Sequence, residues 1–275
     1  MIDQATELRK LSFNHTYHAI EKARAAQLLV ISGGKGGVGT TTIAVNLAVA
    51  LAAKQHKVLL IETAPHRTDI ATLCGLTVKH ELNTNSTRQK DLSRLLQRGP
   101  AGLMILPATW ANSNQLSTPT TSQNYRLPQH LVKLQSDYDL VIVDVGNQVT
   151  SLSNRLRAAA DELVMVTTCD PISVMDSFTL LKTKPRRLYR PHVQTVVNWA
   201  KSPQQATNVH QRISHACRRF LGFNSKPLGS IPEEPLIRTA ASQAIPFVTH
   251  EPETQAAKTL TAMAQQLHHG CYREH

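Results

Sequence analysis

The chain has 275 residues, of which 41% are hydrophobic, and a formal net charge of +11 at pH 7. This length suffices for one large α/β domain with a buried core, whereas no apolar run approaches the ~20 residues that a membrane-spanning helix requires. The first ten residues are polar and charged, which argues against a secretory signal peptide. Four widely spaced cysteines without a C-x-x-C motif favour reduced thiols over disulfides or zinc. We therefore expect a cytoplasmic protein without a transmembrane segment, one that could be recruited to the inner membrane face or the cell pole.

Residues 1–24 form a predicted N-terminal arm. Asp3 is a good N-cap acid, and the stretch from Asp3 to Arg9 predicts a short helix. Ala5 and Leu8 lie on one side of that helix at i, i+3 spacing. Because so short a helix is marginally stable alone, it needs a surface to bury against, either its own domain or a partner.

The apolar run from Leu28 to Ile31 leads into the stretch SGGKGGVGTTTIAVN, residues 32–46, and a helix is predicted over 41–53. This is the order of a buried strand, a glycine-rich turn and a helix. Backbone N–H groups of such a turn can surround a phosphate, and the helix N-terminus adds its partial positive charge. The residues predicted to bind the phosphates are Gly34, Lys35, Gly36, Gly37, Val38, Gly39, Thr40, Thr41 and Thr42.

The phosphate-loop pattern G-x-x-x-x-G-K-[ST] is met except at its lysine. Gly34 and Gly39 occupy the glycine positions, and Thr41 fits the hydroxyl that holds Mg²⁺. Position 40 is a threonine, so one cationic contact to the phosphates is missing. We predict weak binding of ATP or ADP with Mg²⁺. A purely structural turn is the alternative, although it would not need five glycines and a lysine.

Short continuous apolar runs alternate with helical runs from residue 27 onward. Such runs predict strands buried on both faces of a parallel sheet and joined by βαβ units. We therefore predict an α/β fold with a doubly wound, mainly parallel sheet of about seven or eight strands, flanked by helices. The predicted strands are 28–32, 57–62, 103–107, 140–145, 163–168, 193–198 and 227–231.

Two further stretches have a predicted structure. The polar, proline-containing stretch 108–129 predicts a long surface loop or a mobile helix–loop segment. The stretch 253–269 predicts a final helix that packs on the core, so a C-terminal membrane anchor is expected to be absent or vestigial. Its predicted inward face consists of Ala256, Ala257, Leu260, Met263, Ala264 and Leu267.

Residues 138–146, YDLVIVDVG, place an acid at the tip of an apolar strand, followed by a small residue. This is the pattern of a Walker B motif and a second switch. We expect Asp144 to bind Mg²⁺ through water and the Gly146 backbone to sense the γ-phosphate. The alternative is an aspartate that only caps the following turn.

The early lysine of the loop, Lys35, gives it a form that resembles the MinD/ParA group of P-loop ATPases. The resemblance implies that Lys35 reaches across a nucleotide-sandwich homodimer to the partner's phosphates. It also implies that Glu62 replaces the first aspartate of a D-x-D-P motif and supports Mg²⁺. The second carboxylate of that motif, which orients the attacking water, is missing at Ala64, and Asp69 is a candidate replacement. Catalytic roles therefore fall to Lys35, Glu62 and Asp144.

The resemblance extends from residue 3 to about residue 268. Residues 169–178 match a region that packs at the dimer face of the family. Asn198 matches the asparagine that reads adenine, and Pro232 belongs to a loop that closes over the base. The implied organisation is a 1–24 arm, a 25–270 P-loop domain and a 271–275 tail.

The arm resembles the FlhG branch (FleN/YlxH) of this family, the flagellar-number regulators. That branch carries an N-terminal D-Q-A-x-x-L-R element that engages FlhF, a GTPase of the signal-recognition type. The matching residues are Asp3, Gln4, Ala5, Leu8 and Arg9. The resemblance implies control of flagellar placement or number through an FlhF-type GTPase, with hydrolysis slow or absent because of Thr40 and Ala64.

Three alternatives stay open. A similar degenerate loop occurs in CpaE/TadZ-type proteins, which would make the chain a polar-localisation scaffold. The basic cluster within 182–226 could contact DNA or an anionic membrane surface, as in a ParA-like partition ATPase, or could be a solvated face. Other residues could also replace Thr40 and Ala64, which would give an ordinary active ATPase.

Overall fold

The computed structural model describes residues 26–64, 69–77, 92–108, 134, 136–182 and 192–270, with side chains as far as Leu267. The predicted helix from Asp3 to Arg9, the tail 271–275 and almost all of the stretch 108–129 lie outside the described residues.

A single eight-stranded sheet forms the centre of the described chain, with the strand order β3-β4-β2-β5-β1-β6-β7-β8. All neighbouring pairs are parallel except β3 and β4, which are antiparallel. The prediction of a doubly wound, mainly parallel sheet is therefore confirmed. The strands are β1 (Gln27–Gly33), β2 (Val58–Glu62), β3 (Gln97–Arg98), β4 (Met104–Leu106), β5 (Leu140–Gly146), β6 (Glu162–Thr168), β7 (His192–Ala200) and β8 (Ser225–Pro232).

Helices cover both faces of the sheet, and two hydrophobic cores result. In β1, Leu29 and Ile31 face one core, whereas Leu28 and Val30 face the other. This period of two, with apolar residues at every position, is what a strand buried on both faces requires.

The described helices fall into two groups, one for each core. The first core contains residues of α1, α2, α6, α7 and α8, and the second contains residues of α3, α4 and α5. The α-helices are α1 (Thr40–Ala52), α2 (Asp69–Leu73), α3 (Ser151–Ala159), α4 (Pro171–Lys182), α5 (Pro203–Ala216), α6 (Pro235–Ser242), α7 (Phe247–His250) and α8 (Gln255–Gly270).

Helix α1 is buried around its whole circumference, and eleven of its thirteen residues are buried. It packs against the sheet on one side and against α8 and α7 on the other. Its sequence, TTTIAVNLAVALA, contains no charged residue that would oppose such burial.

All seven predicted strands are present, with ends that differ by at most two residues. The predicted final helix begins at Gln255 rather than at residue 253, and its predicted inward face is buried as expected. The sequence analysis missed β3, whose two residues are too short to produce an alternating pattern. No helix formed by the described residues combines the length and apolar character that crossing a membrane would take.

Candidate functional site

The carboxyl ends of β1, β2 and β5 meet at one edge of the sheet. Glu62, the last residue of β2, lies opposite Asp144 of β5, and Asp144 lies opposite Ile31 of β1. The glycine-rich loop follows β1 and leads into α1. The strand register therefore brings the loop and both predicted acids together at the edge where open α/β sheets bind ligands.

The loop presents a row of backbone N–H groups. Among the described residues, the N–H groups from Gly37 to Thr42 have no protein acceptor, and the first bond of α1 runs from the Ile43 N–H to the Gly39 carbonyl at 3.0 Å. Gly39 has a φ of 87°, which favours glycine, and an added Cβ there would collide with the Asn198 amide. A helix N-terminus with unsatisfied donors of this kind fits a phosphate.

Thr40 stands where the phosphate-loop pattern requires lysine. It is 7% exposed, and Thr41 and Thr42 beside it are half-buried. Lys35 is the single cation between residues 32 and 46. The loop therefore offers backbone donors and hydroxyls, but one charged side chain.

Lys35 lies beside the start of α4. Its Nζ is 3.4 Å from Asp170 Oδ2, and both side chains are nearly half exposed. Asp170 also accepts hydrogen bonds from the N–H groups of Ile172 and Ser173. Gly34 approaches the α4 backbone so closely that a Cβ would not fit. Since an exposed ion pair contributes little free energy, Lys35 can leave Asp170 at small cost.

Glu62 is a buried acid, 2% exposed. Its two carboxylate oxygens accept hydrogen bonds from the N–H groups of Ile70, at 3.3 Å, and Ala108, at 3.4 Å. Burial raises the pKa of Glu62 from 4.5 to about 7; the backbone donors oppose this rise, and the charges of Asp144 and Asp69 add to it. Asp69 itself is exposed at the first position of α2. A cation at the site would favour the ionised form of Glu62.

Asp144 is 5% exposed. Its Oδ1 accepts a hydrogen bond from the Gly146 N–H at 2.9 Å, and its main-chain oxygen accepts one from the Thr63 hydroxyl at 2.8 Å. Together with Glu62 and Thr41, it supplies carboxylate and hydroxyl oxygens, which are the ligands that Mg²⁺ prefers. Two carboxylates and a hydroxyl leave room for phosphate oxygens in the coordination of a Mg²⁺ ion. Among the described residues, no group of three or more His, Cys, Asp or Glu could hold a metal ion.

Asn198, in β7, contacts the loop directly. Its Nδ2 donates a hydrogen bond to the Val38 carbonyl at 2.9 Å, and its Oδ1 accepts one from the Trp199 N–H at 3.0 Å. Pro232, half-buried at the end of the neighbouring strand β8, lies opposite Ala200. Asn198 therefore holds the loop in place, and the roles of Asn198 and Pro232 at an adenine base stay predictions.

Arg157, in α3, is a neighbour of the site that the sequence analysis missed. It is 2% exposed, and its Nε donates a hydrogen bond to Ser32 Oγ at 3.1 Å. The Ser32 hydroxyl in turn donates to the Gly146 carbonyl at 2.9 Å. Burial lowers the pKa of Arg157 to about 10, which leaves it charged at neutral pH. One feature of the sequence could have indicated a contact of Arg157 within its own helix, namely its i, i+4 spacing from Ser153. The two side chains are hydrogen-bonded at 3.2 Å.

The basic cluster predicted within 182–226 is described in part. Its described cations are Lys182, Lys201, Arg212, Arg218, Arg219 and Lys226. Phe220 is 60% exposed, with the Arg219 guanidinium 5.5 Å from its ring centroid. The ring centroid of Phe178 lies 6.1 Å from that of Phe220, and Lys182 Nζ lies 4.7 Å from the Phe178 centroid.

The predicted partner-binding residues lie outside the described residues. They are Asp3, Gln4, Ala5, Leu8 and Arg9.

Comparison with known proteins agrees with this geometry. A family described as an AAA domain matches residues 26–187. The antiactivator FleN of Pseudomonas aeruginosa is 29% identical over 245 residues, which cover 88% of this chain and 86% of FleN. The flagellum site-determining protein YlxH of Helicobacter pylori is 21% identical over 77% of this chain and 71% of YlxH. The septum site-determining protein MinD of Pyrococcus horikoshii, solved with Mg-ADP, is 20% identical with a TM-score of 0.67, over 88% of this chain and 96% of MinD.

The family match spans more than half of the chain, so the chain belongs to the AAA domain family, and its sheet has the fold of MinD. It is a P-loop protein of the MinD/ParA type. Within that type it is close to the FlhG group, to which its similarity to FleN and YlxH points.

Proposed function

We propose that this protein is a regulator of flagellar placement or number that binds ATP or ADP with Mg²⁺ at its glycine-rich loop. The similarity to FleN and YlxH supports the regulatory role. The observation that carries the nucleotide site is the row of N–H groups from Gly37 to Thr42 beside two buried acids, Glu62 and Asp144.

In this proposal the backbone from Gly34 to Thr42 surrounds the phosphates. Thr41, Glu62 and Asp144 hold Mg²⁺, which when bound neutralises phosphate charge. The Gly146 backbone senses the γ-phosphate. The residues proposed to contact the base are Asn198 and Pro232.

The missing lysine weakens this binding without abolishing it. Losing a charged hydrogen bond costs roughly 1.5–3 kcal/mol, which is about ten- to a hundredfold in affinity. The backbone donors and the dipole of α1 do not depend on the side chain at position 40, so they still attract an anion.

We further propose that hydrolysis is slow or absent. Phosphoryl transfer depends on positive charge around the γ-phosphate and on an oriented water, and Thr40 and Ala64 supply neither. In a nucleotide-dependent homodimer, Lys35 of the second copy would restore part of the charge. Ile172 and Met175, which are 57% and 65% exposed on α4, support an interface there, because α4 begins directly after Asp170, the residue that Lys35 contacts.

The partner contact is assigned to the 1–24 arm, and nucleotide binding to the 25–270 domain, with 271–275 as a short tail. The match of the arm to the D-Q-A-x-x-L-R element supports an FlhF-type GTPase as the partner. A peptide of residues 1–24 should bind such a GTPase and change its GTP turnover, and the same peptide with Leu8→Asp should not. Equal behaviour of the two peptides would remove the partner assignment.

Calorimetric titration of the full chain with ATP and ADP, each with Mg²⁺, tests the nucleotide site. We expect weak but saturable binding that Asp144→Ala abolishes or strongly reduces. Asp137→Ala, the same change at an exposed aspartate that precedes β5, should leave binding unchanged. Absence of binding by both nucleotides in the unaltered chain would refute the proposed site.

One observation favours a second candidate function, a DNA-binding partition factor. The Arg219 guanidinium lies beside the exposed ring of Phe220, and Lys182 lies over the neighbouring ring of Phe178. Cations beside an exposed aromatic ring fit a nucleic acid, through phosphate contact and base stacking. Binding of non-specific DNA that weakens steeply with salt, and that Arg219→Ala reduces, would favour this candidate.

A further inference from the structure

Arg157 is a buried cation held entirely by neutral acceptors. Its Nε donates to Ser32 Oγ, one terminal nitrogen donates to Ser153 Oγ and Asn154 Oδ1, and the other donates to the Gln148 carbonyl. Within the described residues no carboxylate lies within ion-pair distance of it. Placing a charge in the interior without an anionic partner is unfavourable, and an apolar side chain of similar volume would serve packing equally well. The reason for an arginine at this buried position therefore lies in the groups to which its N–H donors are hydrogen-bonded.

The hydrogen bonds around Arg157 converge on the segment 146–150, which follows Asp144. The Gly146 carbonyl accepts from the Ser32 hydroxyl. The carbonyls of Gln148 and Thr150 are within hydrogen-bond distance of the Ser153 hydroxyl, at 2.8 and 3.1 Å. The carbonyl groups of residues 146, 148 and 150 therefore belong to one hydrogen-bond network. The same network includes Ser32, at the start of the glycine-rich stretch.

The planar fork of arginine suits this task. It presents five N–H donors in fixed directions, whereas a lysine ammonium is a compact point charge on a flexible stem. One guanidinium can therefore fix the distance between the end of β1, at Ser32, and the segment 146–150, through Gln148.

We infer that Arg157 is a positioning residue that holds the segment 146–150 in register with the phosphate loop, so that a phosphate sensed at Gly146 changes the surface around Val149. This inference rests on the proposed nucleotide site. Val149, the fourth of the five residues of the segment, is 61% exposed, so a shift of the segment would change a surface that a second molecule can contact. The arginine itself touches no ligand atom in this scheme, and it acts through Ser32 and Gln148.

Hydrogen exchange of the full chain without nucleotide tests the holding role. Arg157→Lys keeps the charge but loses the fork, and Ser32→Ala removes the hydroxyl that joins Arg157 to Gly146. In both variants we expect the amides of residues 145–150 to exchange about tenfold faster, the effect of about one lost hydrogen bond. Arg155→Lys, the same change in the same helix, should exchange like the unaltered chain. Exchange that is unchanged in this segment, or faster throughout the molecule, would overturn the inference in favour of simple core packing.

The affinity ratio of a non-hydrolysable ATP analogue to ADP tests the coupling. Because the γ-phosphate is proposed to be sensed at Gly146, Ser32→Ala should lower this ratio about tenfold. An unchanged ratio alongside faster exchange would overturn the coupling while leaving the holding role. If the unaltered chain binds neither nucleotide, the proposed function fails together with the coupling, and the exchange measurement still decides whether Arg157 holds the segment.

Discussion

Replacing Glu62 by glutamine should remove a large pH dependence of the stability of the fold. Glu62 has a pKa that burial raises from 4.5 to about 7. Because the folded state binds this proton more tightly than the unfolded state does, the stabilisation is complete below pH 4.5 and is lost as the pH rises through 7. The rise in pKa corresponds to roughly 3 kcal/mol of unfolding free energy.

Urea denaturation at a series of pH values between about 5 and 8 measures this effect. The unaltered chain should lose about 2.5 kcal/mol more than Glu62→Gln over that range. The amide of the variant faces the N–H groups of Ile70 and Ala108, so its stability is also lower by a constant amount, and the slope with pH is the quantity to compare. The control is Glu233→Gln, whose carboxylate is exposed.

A Mg²⁺ ion at the site would need the ionised carboxylate. Affinity for Mg-ADP should therefore increase from pH 5.5 to pH 8 in the unaltered chain, by about tenfold or more, and should change less in Glu62→Gln. Parallel stability curves for the two proteins would show that Glu62 has an ordinary pKa in the folded state, which would refute the reasoning from its burial.

Three other changes have defined outcomes. Asn46→Ala removes the acceptor of the buried Val248 N–H, bonded at 3.0 Å, and should lower the unfolding free energy by about 1–3 kcal/mol in urea titrations; a smaller loss would mean that water replaces the amide. Gly39→Ala puts a Cβ at a φ of 87° against the Asn198 amide, and it should reduce both thermal stability and nucleotide affinity, whereas loss of neither would contradict the loop geometry. Burial raises the pKa of the Cys74 thiol to about 12, so it should react with a thiol reagent at pH 8 only after denaturation, as peptide mapping by mass spectrometry would show.

Much of the fold and the centre of the site could be predicted because they depend on local signals. Continuous apolar runs identify strands buried on both faces, and the strand–glycine–helix order identifies the loop. Asp144 could be predicted because it stands at the tip of an apolar strand, whereas Glu62 was predicted from the resemblance of its strand end to the D-x-D-P motif. The two acids lie opposite each other because the ends of parallel strands meet at one edge.

The contacts that complete the site could not be predicted, because they join distant parts of the chain. Asn198 bonds Val38 across 160 residues, and Arg157 bonds Ser32 across 125. In the sequence, Arg157 resembles any surface arginine of a polar helix, and nothing local indicates that it is buried. Its partners are two hydroxyls, an asparagine side-chain oxygen and a main-chain carbonyl, which leave no pattern of opposite charges for sequence reasoning to find.

The burial of α1 also bears on how the protein matures during synthesis. The outer face of α1 is covered by α8, including Ala256 and Leu260, which are added more than 200 residues later. Until that helix has emerged from the ribosome, an apolar helix lies uncovered and is open to chaperones and to aggregation. The nascent chain should therefore acquire a rigid anion-binding loop only near the end of translation.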